Sequence, residues 1–162
     1  MAALSREQVS NALLNLLVTA QFVTLNSGGQ AIGFVTSGRR FRPWEEVNGS
    51  QQPAIFLTEP KETHTRQELQ TPAVRTIMYD AFIFINDGAN KAASVTAITT
   101  LNNIADSIDP RYGGVLKPEV NSGRQTLGNL VWDCYIEGEI VKVPGDLNGQ
   151  GVLVIPIKVI IP

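Results

Sequence analysis

Cysteine occurs once in this chain, at Cys134, and histidine once, at His64. A lone cysteine excludes an intrachain disulfide, so the sequence lacks the stapling of small secreted proteins and suits a reducing cytoplasm. One cysteine and one histidine also leave no zinc constellation. Neither charge sign dominates: 13 Lys and Arg against 15 Asp and Glu give a net charge of -2, which offers no global attraction to nucleic acid or anionic lipid. Any contact with DNA has to be local. No apolar run approaches the ~18 residues of a membrane span. The apolar stretch 12–23 follows Glu7, has Asn11 and Asn15 at its start and lacks the basic leader of a signal peptide, so neither export nor membrane insertion is expected.

What is present describes a globular chain. With 162 residues, 43% of them hydrophobic and 17% charged, the composition fits one domain over 1–162 with a continuous core. Ser5 followed by Gln8 has the form of a capping box, and Val9, Ala12, Leu13, Leu16, Leu17 and Ala20 repeat at helical spacing behind it. A second helix is expected where Ala97, Ile98, Leu101, Ile104, Ala105 and Ile108 repeat, ended by Asp109-Pro110. Residues 77–85 are apolar on both parities, as in a central strand covered on both faces. A brief strand is expected at 54–58. Residues 132–143 alternate as one half-buried strand, with Asp133, Glu137 and Glu139 outward. Residues 152–161 carry a wholly apolar face, with Pro156 and Lys158 opposite, which predicts an edge or a bulge. Residues 59–72 are polar, bounded by prolines and apolar only at Leu69, and read as a long exposed excursion that moves or binds. The assembly these elements predict is α+β: a mostly antiparallel β-sheet with two amphipathic helices packed on it and a long exposed loop.

Candidate chemistry is sparse. Cys134 and His64 are the only thiol and imidazole for a nucleophilic pair, and they fall on a strand face and in a polar stretch, so a buried structural cysteine is the simpler expectation. Gly88-Ala89-Asn90-Lys91 stands where a phosphate loop would, without the glycine-lysine-serine/threonine core, and a tight turn explains it better. Asp87 and Asn90 lack the alternating acidic spacing of a calcium loop. No catalytic residue, cofactor site or metal site is assigned. The one dense basic cluster is Arg39, Arg40 and Arg42 beside Trp44; guanidinium forks suit phosphate, yet Glu45 and Glu46 offset the charge. In a symmetric ring the cluster would be multiplied.

The run Arg39-Arg40-Phe41-Arg42-Pro43-Trp44-Glu45-Glu46-Val47, followed by Gln52-Pro53-Ala54-Ile55-Phe56-Leu57, resembles a stretch of the tail terminator (tail completion) proteins of tailed bacteriophages. Leu101-Asn102 with residues 104–109, Gln125-Thr126-Leu127-Gly128, Tyr135-Ile136-Glu137-Gly138-Glu139-Ile140 and Val154-Ile155-Pro156-Ile157 are similar in order and spacing. Gly128-Asn129 departs from the pair of glycines expected there. The resemblance implies a tail-terminator-like domain without enzymatic activity. It would be a structural virion protein, assembled in the host cytoplasm, that forms a hexameric homo-oligomeric ring on the head-proximal end of the tail tube. Its implied partners are the tail tube protein and neck or head-tail connector proteins, with genomic DNA passing through the ring without sequence-specific recognition and no membrane contact. Inter-subunit or lumen contacts would then fall to Arg39, Arg40, Arg42 and Trp44. The alternatives are a related neck or head-completion ring protein, and a small cytosolic ligand-binding module or enzyme.

Overall fold

A computed structural model of the chain describes residues 4–24, 27–86, 93–144 and 150–161, without the side chains of Trp44 and residues 93–97. The elements, in order, are α1 (Arg6–Leu17), β1 (Phe22–Val23), β2 (Ala31–Ile32), β3 (Thr36–Gly38), β4 (Ala54–Thr65), β5 (Val74–Asn86), α2 (Ala93–Ile108), β6 (Asp133–Ile136), β7 (Val141–Pro144) and β8 (Gln150–Ile161). The α+β expectation is borne out: the main sheet runs β3-β4-β5-β8-β6, with β7 also on β8, and only the short β3–β4 pair is parallel. β1 and β2 form a separate small ladder.

Strand parity builds the core. Ile77, Tyr79, Ala81, Ile83 and Ile85 of β5 face the same side as Ile55 and Leu57 of β4 and Leu153, Ile155, Ile157 and Val159 of β8, and all are buried. Val9, Leu13 and Leu17 of α1 and Leu101, Ile104 and Ile108 of α2 join them in one cluster. Burying each large aliphatic side chain contributes roughly 1.5–3 kcal/mol, so this face carries most of the folding free energy. The capping box of α1 forms as its spacing implies, Gln8 N–H donating to Ser5 Oγ at 3.1 Å and Ser5 N–H to Gln8 Oε1 at 2.9 Å.

Three expectations change. First, β8 is central, between β5 and the pair β6 and β7, rather than an edge. Glu137 N–H donates to the Pro156 carbonyl at 3.3 Å, so that carbonyl, and the ring nitrogen beside it, point toward the β6–β7 side. Pro156 sits where β6 has ended at Ile157 and β7 has not passed Val154, a gap in which no ladder donor is needed. Second, residues 132–143 are two strands, broken at 137–140 where Gly138 takes φ 119° over Pro156. Third, the excursion 59–72 is exposed as expected but half of it is strand: β4 continues to Thr65, paired with Val74–Met78 in an arm, and the loop itself is 66–73. A bulge between Thr58 and Lys61 accommodates Glu59 and Pro60. Beyond it β4 is the edge of the sheet, with Lys61, Thr63, His64 and Thr65 exposed on both parities, while β5 opposite still pairs with β8 and keeps Ile77 buried; β4 alone therefore lacks the apolar alternation that would reveal a strand.

Candidate assembly surface

The arginine cluster is divided among different tasks. Arg39 Nη2 donates to Glu59 Oε1 at 2.6 Å and to Glu7 Oε1 at 3.2 Å, while Nη1 makes a further close contact with Glu7. Ser10 of α1 gives its hydroxyl proton to Glu59, so Tyr79 Oη, 2.9 Å away, donates to Ser10 Oγ. The chain Tyr79, Ser10, Glu59, Arg39, Glu7 thereby bolts α1 to the sheet, and the bulge in β4 aims Glu59 into it. Burial, first of all, pushes the Tyr79 phenol up to about 12, so it stays protonated as the donor. Arg39 holds the Glu7 carboxyl below its ordinary value. Arg39 is structural.

Arg42 donates to the Glu46 carbonyl at 2.5 Å and lies over the Phe56 ring at 5.8 Å. Phe41 meets Phe82 edge-on at 4.9 Å, and Val47 is buried against Ala54, Phe56 and Phe84. Segment 41–52 therefore roofs one end of the outward sheet face. Arg40 is exposed and makes no hydrogen bond or ion pair among the described residues, which leaves it as the freest cation of the cluster. The Trp44 side chain lies outside the described residues; its backbone belongs to the 3-10 turn Trp44–Glu46.

Beyond the roof the outward face is half-exposed. Met78, Asp80, Val154, Lys158, Ile160, Asp133 and Tyr135 share it by register, and Lys158 Nζ pairs with Glu137 at 2.9 Å. Val141 and Val143 extend its apolar margin. Asp133 and Glu137 therefore do not converge on one another as an acid-base pair: one lies on β6, the other beyond its end and neutralised.

Cys134 is buried on β6, and burial, then Asp133, drives its thiol well above the ordinary value, so it is a poor nucleophile. His64 is on the exposed arm, bonded to Glu62 at 2.6 Å. Their strands are separated by β5 and β8, three steps of roughly 4.8 Å each, so the two cannot meet. Among the described residues no three His, Cys, Asp or Glu side chains cluster to hold a metal, and no helix is long and apolar enough to cross a membrane. Gly88-Ala89-Asn90-Lys91 and Asp87 lie outside the described residues.

One organising residue escaped the sequence: Glu119. Its Oε1 accepts the N–H of Thr126 at 3.2 Å and of Gly128 at 3.1 Å, and its Oε2 accepts Thr126 Oγ1 at 2.6 Å. Those donors, Thr126 Oγ1 foremost, hold the carboxyl below its ordinary value. The turn they fix runs through left-handed φ at Leu127 (51°), Gly128 (73°) and Asn129 (68°). Asparagine is among the few non-glycine residues that enter this region readily, so Asn129 holds a position that otherwise favours glycine. Between this turn and α1 lies an open cleft of about 430 Å³ lined by Ala12, Asn15, Leu16, Thr19, Leu127 and Glu119. The partly exposed Ala12 and Leu16 explain why the apolar stripe of α1 is wider than its buried set.

No protein-family model matches the chain, and no curated protein matches it.

Proposed function

We propose that the chain is a phage tail terminator, a structural ring protein that sits on the head-proximal end of the tail tube, stops its growth and presents the surface for neck attachment. What supports this is the ordered series of segments from Arg39 to Ile157, set in a fold in which, among the described residues, Arg39, Glu59, Ser10 and Glu119 brace helix, sheet and turn. The observation that carries it is the outward half of the sheet: a half-exposed face bordered by the exposed 66–73 loop, on a chain whose only thiol and imidazole are held apart. Function of this kind is symmetry plus surface. A neck or head-completion ring would use the same features.

The test adds the protein to polymerising tube subunits and measures tube length by electron microscopy. The expected result is tubes arrested at lengths that shorten as the protein is added in greater proportion. Unchanged lengths with both proteins folded would overturn the proposal and favour a cytosolic module.

A further inference from the structure

The arm and the cleft lie at opposite ends of α1. Passing along the helix from Ser10 to Arg6, its partners move along β4 from Glu59 to Glu62, toward the arm's tip. Arg6 Nε holds the base of the arm through Glu62 at 2.7 Å. The cleft is lined from the other half of the helix, by Ala12, Asn15, Leu16 and Thr19. Arm and cleft therefore contact different halves of α1, so one does not fill the other within a single copy.

The two features also match chemically. At the arm's tip Leu69 is 89% exposed, the one large aliphatic in 66–73, with Arg66 and Glu68 before it. The cleft is an apolar recess closed on one rim by the Glu119 carboxylate, which its three donors keep ionised and whose Oε2 takes only one of them. The carbonyl of the exposed Lys117 receives the side chain of Gln125, which also lines the cleft. Opposite charges two residues apart in the tip, Arg66 and Glu68, are thus matched by opposite charges two residues apart in the chain at the cleft, Lys117 and Glu119. None of Arg66, Glu68 and Lys117 makes an ion pair among the described residues.

Resting on the ring reading, we infer that successive subunits join head to tail, the Leu69 tip of one copy seated in the α1 cleft of the next, with Arg66 against Glu119 and Glu68 against Lys117. A tip and a recess on different parts of the surface make a heterologous contact, the type that closes into a ring when the rotation per step allows. The apolar centre with a charged rim follows the ordinary anatomy of a protein interface.

The experiment introduces cysteines at both positions, Leu69→Cys and Asn15→Cys, and treats the protein with a short bis-maleimide; Asn15 is exposed and Cys134 is buried. The double variant is expected to give a ladder of species above dimer. Each single variant should give no ladder, and a mixture of the two should give dimers containing one of each. Arg66→Glu in the double-cysteine background is expected to lower the ladder's yield at least tenfold, and Arg66→Lys far less. Absence of any species above dimer, or a ladder indifferent to Arg66→Glu, overturns the contact. Sedimentation of the wild-type protein separates this from failure of the ring itself: oligomers without a ladder reject the contact alone. A monomer at every concentration, with no ladder, rejects the contact and leaves the ring to the tube-length assay.

Discussion

The two faces of the sheet are made from the same three strands, β4, β5 and β8, yet they have opposite fates. Toward the helices, Leu57, Tyr79, Ala81, Ile83, Leu153, Ile155 and Ile157 are all within 1% of complete burial. One residue along each strand, Thr58, Met78, Asp80, Phe82, Val154 and Lys158 remain partly exposed. A strand's period of two lets one stretch of chain supply stability on one side and surface on the other, with little interference between them. Charge follows the same division: the bolting network of Tyr79, Ser10, Glu59 and Arg39 lies on the helix side, whereas Lys158, Asp80 and Asp133 lie outward.

The sharpest way to break this comparison is to hollow each face in turn. Ile155→Ala on the helix side should cost between about 2 and 5 kcal/mol, the range for emptying a packed aliphatic site. Val154→Ala, its neighbour on the outward face, should cost within about 1 kcal/mol. Chemical denaturation of both variants checks the pair; equal losses would mean the outward face is also core. Crowding the helix side should be nearly as damaging. A Cβ on Gly114 would stand 2.3 Å from the Ile108 carbonyl carbon and 2.5 Å from the Asp109 nitrogen, where the chain doubles back after α2. Gly114→Ala is therefore expected to lower stability by about 3 kcal/mol, read as a fall in the denaturation midpoint.

How much of this was legible in the sequence depended on the same division. The covered face announced itself in the apolar parity of 153–161 and the stripes of the two helices, one-sided burial written in residue order, whereas 77–85, apolar on both parities, promised cover on both faces and Met78, Asp80 and Phe82 on the second remain partly exposed. The end of β4 was hidden because it is the sheet's edge and its own side chains are largely exposed, so Lys61, Glu62, Thr63 and His64 carry no periodicity to find. Pro156 misled for the opposite reason. Proline does argue against a central strand, but the rule concerns a ladder donor, and no local pattern tells that two short strands will share the neighbouring edge and leave a gap there. Of the candidate site, the cluster at 39–44 was visible as composition. That Arg39 is spent on Glu7 and Glu59, more than a helix turn away in sequence, is a tertiary fact. Glu119 gave no signal, since an acidic residue on a loop is commonplace until its donors are placed.

Acid probes the base of the arm. Arg6 foremost, then His64, hold the Glu62 carboxyl down to about 2, whereas an unfolded glutamate titrates near about 4.3. The pairing thus stabilises the fold fully above the unfolded value and is lost as pH falls through about 2. Glu62→Gln should melt a few degrees below wild type at pH 7, and the gap should close on acidification toward pH 2. A gap independent of pH would show that packing, and not the ion pair, anchors the arm.

Shortening the arm should cost less still. Thr65 pairs directly with Val74, so replacing 66–73 with Asn-Gly gives a two-residue hairpin turn and leaves the core untouched. The variant is expected to keep a single cooperative melting transition and to lose its effect on tube length. His64→Ala, at the bottom of the scale, should lower melting less than Glu62→Gln does and leave tube capping unchanged; loss of capping with the fold intact would reopen the question of chemistry at the arm.

The most direct test of surface and symmetry as the basis of function is to image labelled protein on polymerised tail tubes and record where the label sits. Label is expected at one end of each tube and nowhere along its length. Label spread along the tube wall, on both ends alike, or absent from tubes altogether would contradict it.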